Sequence, residues 1–171
     1  MRKMLNALYD GAAALAAFFM VLLLVMVLLS IVGRELGFYV RGTDAYAGYF
    51  MAAAGFLALA HTLKKGEHIR VTLLINAVKG RAKKAIEIWA LTAAVGLAAL
   101  FAYYSVKLSV NSFQFNDVST GNDATPLWIP QIAMGVGSVV LLIAFIDELV
   151  LELMGKRESV RVSTDEMLHN E

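Results

Sequence analysis

Four stretches of this chain carry no formal charge over a length that can cross a lipid bilayer, and that single pattern constrains the fold more than any motif. Gly11 to Gly33 is 23 residues long, Ala45 to Leu63 and Ile88 to Val106 are 19 each, and Leu127 to Ile146 is 20. At about 1.5 Å per residue a helix of roughly 20 residues spans a hydrocarbon core of about 30 Å. Charges bound the stretches: Asp44 precedes the second and Lys64 and Lys65 follow it, Glu87 and Lys107 flank the third, and Asp147 and Glu148 close the fourth. Each segment must be helical, because in lipid an isolated stretch of chain satisfies its backbone N–H and C=O groups only internally. The expected fold class is therefore an all-α integral membrane protein with four transmembrane helices, at about 11–33, 45–63, 88–106 and 127–146, in one membrane domain covering 1–171.

Composition agrees. Hydrophobic residues make up 59% of the 171 and charged residues 17%, an apolar excess and a charge deficit against typical soluble domains. The net charge of +1 has no one-sided basic surface in it, so no nucleic-acid partner is expected. The chain contains no cysteine, which removes disulfides, thiolate metal sites and iron–sulfur clusters. Arg2 and Lys3 before an apolar run resemble a signal peptide, but the run is too long and ends in no small-x-small cleavage site, so it is expected to stay as the first helix.

Orientation follows from the basic residues. Twelve Lys and Arg fall in the N-terminus, the loop between spans two and three, and the C-terminal tail; Arg34, Arg41 and Lys107 fall on the other side. The positive-inside rule then predicts an N-in, C-in topology with the middle loop in the cytoplasm. Tyr9, Phe38, Tyr39, Tyr46, Trp89, Tyr103, Tyr104 and Trp128 lie at the span limits, as an interfacial aromatic belt requires.

Between spans two and three, Val71, Leu74, Ile75 and Val78 recur at i, i+3, i+4, i+7 while Thr72, Asn76, Lys79 and Lys83 collect on another face. This predicts a short amphipathic helix in the cytoplasmic interface, its lysines near anionic headgroups; a cytoplasmic extension of span three kinked at Gly80 is the alternative. Phe113 to Pro126 is polar and turn-rich, which predicts an outer loop, and Pro130 suits the first turn of the last helix. The tail of about 155–171 is short and charged and is expected to be mobile.

Small residues recur as Gly48, Ala52 and Gly55, with Ala58 or Ala60, in span two, and as Ala90, Ala94, Ala98 and Ala102 in span three. Such stripes let helices approach closely where lipid removes the ordinary hydrophobic drive. Chemistry, by contrast, is sparse. The spans hold Ser30, Thr92, Ser105 and Ser138, whose hydroxyls can bond back to their own helices, and His61 one turn before Lys64. Haem anchoring lacks paired histidines inside the spans, and no catalytic, cofactor-binding or metal-ligating set emerges. The chain is not expected to be an enzyme or to bind a cofactor.

Several residues then carry a resemblance. Arg34 stands at the outer end of span one, Asp44 opens span two with Gly55 inside it, Gly66-Glu67-His68-Ile69-Arg70-Val71 follows span two, and Thr125-Pro126-Leu127-Trp128-Ile129-Pro130 with Gly135 and Gly137 opens span four. Across nearly the whole chain this resembles the small membrane subunit of tripartite ATP-independent periplasmic (TRAP) transporters, in its DctQ-like form. It departs from that pattern at Arg41-Gly42-Thr43-Asp44, where a tryptophan and paired acids are common, and at Thr72, where an aspartate is expected. The resemblance implies a scaffold subunit in a bacterial or archaeal cytoplasmic membrane, paired with a large multi-spanning subunit that holds the sodium and substrate sites and served by a periplasmic binding protein. The solute would be a C4-dicarboxylate or sugar acid. Arg34, Asp44, His68, Arg70 and Trp128 are the candidate contacts to the large subunit or to headgroups, with His68 and Arg70 bracketing the turn after span two. A membrane anchor of another complex and a small self-sufficient multidrug exporter are the competing readings. The exporter needs a membrane-embedded carboxylate that the spans lack.

Overall fold

A computed structural model describes residues 2–38, 40–65, 81–121 and 123–155. They form four helices, α1 (Arg2–Glu35), α2 (Thr43–Lys64), α3 (Arg81–Gln114) and α4 (Trp128–Leu153). All four are long and apolar enough to cross a membrane. Each contains one predicted span; α1 and α3, at 34 residues apiece, run well past theirs. A 34-residue helix is about 51 Å long, so both project beyond a hydrocarbon core of about 30 Å. The amphipathic helix at 71–78, the residues His68 and Arg70, and the tail beyond Gly155 lie outside the described residues.

The helices are not arranged as a closed square. α1 packs on α2, α2 on α4, and α4 on α3, while α1 and α4 barely touch. The spatial order is therefore α1–α2–α4–α3, with the sequence-distant pair α2 and α4 at the centre. Exposure follows from this order: 6% of the apolar window of α1 and 17% of that of α3 is buried, against 28% for α2 and 33% for α4. Each outer helix, with its turn and its inner neighbour, makes a helical hairpin, and the described contact between the two hairpins is the α2–α4 seam, aided by a ring contact between Phe56 and Phe101 at 5.8 Å.

Small side chains hold the seam close. Ala60 and Ala144 are completely buried, and they join Tyr9, Ala12, Leu63 and Leu141 in one cluster that ties α1 to the seam. At Gly137 a Cβ atom would stand 2.5 Å from the carbonyl oxygen of Phe56, so only glycine permits this crossing. Along the small-residue stripe of α2, Gly48, Ala52 and Gly55 are exposed and Ala60 is buried, with Ala53 and Ala54 buried on the inward side. On α3, Ala98 and Ala102 are buried and Ala90 is not.

Thr92 and Ser138 bond back to the carbonyls of Ile88 and Gly135, both at 2.8 Å, as expected. Ser30 instead reaches across to α2, because its hydroxyl finds the carboxylate of Asp44. The α1–α2 turn uses glycine where the chain turns left-handed, Gly37 at φ 74° and Gly42 at φ 83°.

Candidate functional site

Polar side chains of the described residues gather at the two ends of the seam. At one end, Lys64 in the last turn of α2 places its ammonium between Asp147 and Glu148 of α4, with Glu148 Oε1 at 3.2 Å. The three side chains are only 19%, 20% and 11% exposed, so water screens the contact weakly. The ammonium also lies 5.4 Å from the centroid of the Tyr9 ring of α1, a cation–π distance. One turn earlier, His61 Nδ1 is 3.6 Å from Asp10 Oδ1 of α1. The last turn of α4 carries no basic residue of its own. Asp147 and Glu148 lie more than a turn before the end of α4, and the cation that meets both comes from α2.

At the other end, the loop between α3 and α4 is fastened to α2. Tyr49 donates a hydrogen bond to Asp123 Oδ2 at 3.0 Å, Ser119 donates to Asp123 Oδ1 at 2.8 Å, and the Tyr46 and Thr125 hydroxyls are 3.1 Å apart. Within the loop, Val118 and Pro126 form an antiparallel bridge, closed by Ser119 N–H to Thr125 C=O and Leu127 N–H to Asp117 C=O. Gly42 lets the loop settle onto the α1–α2 turn: its Cβ position lies 3.1 Å from the Cβ of Asp123.

Desolvation of Asp123 works to raise its pKa, but hydrogen bonds from Thr125, Ser119 and Tyr49 outweigh it and hold the carboxyl at about 2, below the usual 3.8. The folded-state value is depressed, so the tie stabilises the loop above about pH 4 and is lost as pH falls toward 2. Residue-specific NMR of Asp123 should show a carboxylate still ionised at pH 3, and Asp123→Asn should abolish the acid-dependent release of the loop. A carboxyl titrating near 4 would show that the tie is not formed.

Of the candidate contacts proposed from sequence, Arg34 and Asp44 are brought together. Arg34 Nη2 donates to the Ser30 hydroxyl at 3.2 Å, and that hydroxyl donates to Asp44 at 3.1 Å, leaving both charged groups exposed. Trp128 is not part of that cluster. It begins α4 and meets Phe113 of α3 edge-to-face at 5.5 Å, its carbonyl accepting from Ser109. His68 and Arg70 fall outside the described residues.

Sequence reasoning used Lys64, Asp147 and Glu148 as span boundaries, and Lys64 also in the count of basic residues, without pairing them. The opposite charges closing two helices that run in the same direction were the available signal. Tyr46 and Tyr49 left none, since their partners Thr125 and Asp123 lie 79 and 74 residues away and all four are individually ordinary as belt and loop residues. Among the described residues no group of three or more His, Cys, Asp or Glu could hold a metal ion.

The sequence profile of the DctQ component of tripartite ATP-independent periplasmic transporters matches residues 23–155. The chain belongs to the DctQ family. It is thus a small membrane component of a transporter and not an enzyme. The match runs from within α1 to the second residue after α4, so it contains both ends of the seam and all of the candidate contacts named above. No curated protein matched the chain. Four apolar helices and DctQ membership together make this a multi-pass membrane protein.

Proposed function

We propose that this DctQ family member is the scaffold subunit of a sodium-coupled importer. In this reading it pairs with a large multi-spanning subunit that holds the sodium and solute sites, and a periplasmic binding protein delivers a carboxylate-bearing solute such as a C4-dicarboxylate or sugar acid. The subunit lies in a bacterial or archaeal cytoplasmic membrane with both termini inside. The observation that carries the reading is the placement of the polar groups. In the described helices the ionic and carboxylate contacts sit at the ends of the seam and at the outer turn, where they tie helix to helix. The apolar middle of the row offers small-residue packing and self-bonded hydroxyls. An anionic solute buried there would cost several kcal/mol without a compensating partner.

Purified alone in liposomes under an inward sodium gradient, the subunit should move no solute; with the large subunit and binding protein, uptake should appear, and its solute choice should follow those two components. Saturable uptake by this subunit alone would sink the scaffold reading. Orientation is read in spheroplasts with an impermeant thiol reagent, which should label Ser119→Cys and spare Asn76→Cys.

A further inference from the structure

We propose that Lys107, with Tyr103 and Tyr104, binds the phosphate of an anionic phospholipid on the outward face of α3. What α3 buries fixes that face. The helix packs on α4 and buries Leu91, Ala98, Ala102, Ser105 and Ser112. Lys107 follows Ser105 by two residues, about 200° around the helix, so it stands on the side away from α4 and is exposed. Trp89, Gly96, Leu100 and Tyr103 share that side and are exposed as well. Trp89 is 73% exposed, Tyr103 60% and Tyr104 61%.

Length identifies what covers this face. Trp89 and Lys107 lie 18 residues apart with no charge between them, about 27 Å of helix against a hydrocarbon core of roughly 30 Å. A tryptophan at one limit and two tyrosines with a lysine at the other, one bilayer core apart, are the anchors of a lipid-facing surface. This spacing favours a headgroup over a carboxylate of another protein. Exposed Leu97 and Leu100 continue from the tyrosines toward the middle of the span and give acyl chains an apolar track.

Charge identifies the headgroup. At the same end of the bundle Arg34 donates to Ser30, which donates to Asp44, so its charge is answered within the chain. Among the described residues no carboxylate lies within salt-bridge distance of Lys107. Its ammonium lies 5.9 Å from the centroid of the Tyr103 ring, and that ring lies 5.3 Å from the ring of Tyr104. An unanswered ammonium at the edge of the hydrocarbon extends into the headgroup layer. The three side chains together offer an ammonium and two phenol hydroxyls as donors. The non-bridging oxygens of a phosphate diester accept such bonds, and the bond from the ammonium is charge-assisted. A phosphatidylglycerol brings a net negative charge to match Lys107, whereas a phosphatidylcholine brings its own cation.

The site needs only a chain that spans a bilayer, so its failure leaves the importer reading untouched. Purified from a mixture of phosphatidylglycerol and phosphatidylcholine, the protein should retain phosphatidylglycerol in native mass spectrometry. Lys107→Met should cut that retention about fivefold, the factor that about 1 kcal/mol per interfacial lysine corresponds to. Tyr103→Phe with Tyr104→Phe should cut it by a smaller factor, and Lys107→Arg should keep it. Arg41→Met, at an exposed basic residue of the same end, should leave it unchanged. In the membranes of cells that express the chain, a photoreactive benzoylphenylalanine in place of Tyr104 should cross-link to phospholipid. Retention unaffected by Lys107→Met would overturn the site. So would equal losses in Lys107→Met and Arg41→Met, which would mean general surface electrostatics, or a cross-link to another protein in place of lipid.

Discussion

Gly137→Ala is expected to lose about 3 kcal/mol of stability, at the upper end of what overpacking a well-fitted contact costs. The added methyl would fall 2.5 Å from the Phe56 carbonyl oxygen, 2.6 Å from its carbon and 2.9 Å from its Cβ. Two of those atoms are backbone, so relief requires moving α2 away from α4 and not merely turning a rotamer. The intrinsic preference of a helix for alanine over glycine, about 1 kcal/mol, works the other way and is too small to win. Gly135→Ala is the control two residues earlier on the same helix. Its Cβ would meet Val106 Cγ2 at 3.8 Å, an ordinary contact, so this substitution should be neutral or stabilising by up to about 1 kcal/mol. Equilibrium unfolding in mixed detergent and SDS micelles separates the two. Equal behaviour of both alanine variants would mean the seam is not set by the Gly137 contact.

Lys64→Met carries the other large effect, a loss of about 2–3 kcal/mol in the same assay. Removing one partner from a fully buried ion pair costs roughly 3–5 kcal/mol, and the fifth of Lys64 and Asp147 that stays exposed lowers that figure through screening. The exposed neighbour Lys65→Met should change stability by less than about 0.5 kcal/mol. The loss should also shrink when Asp147 is replaced by Asn in the same chain, because the position that Lys64 faced then carries no charge. A Lys64→Met variant as stable as Lys65→Met would show that the ammonium contributes nothing to the seam.

Much of this architecture was legible one residue type at a time. Charge-free length identified four helices, since lipid leaves a spanning segment no other backbone solution. Proline at 130 and the turn-rich run before it located the start of α4 to within a residue or two. The short stretches after span two and before span four were specific enough to indicate the DctQ family, which the profile match over 23–155 then established. The small-residue stripe on α2 did not say which neighbour it meets, for a physical reason. Small residues permit close approach from any neighbour, and spacing alone does not distinguish the face that meets α4 from the outward face of Gly48, Ala52 and Gly55.

The sequence by itself determined that this chain forms four helices of membrane-spanning length and to which transporter family it belongs. Both rest on local quantities: uncharged length and short contiguous motifs. Only the tertiary structure decided the order α1–α2–α4–α3, and with it that Lys64 meets residues more than 80 positions away and that Tyr49 holds Asp123. Those pairings depend on which helix faces turn toward each other. That choice draws on the buried cluster around Ala60 and Ala144, on one glycine with no room for a methyl group and on a cation that meets two carboxylates, and spacing along the chain does not reveal which of them face each other.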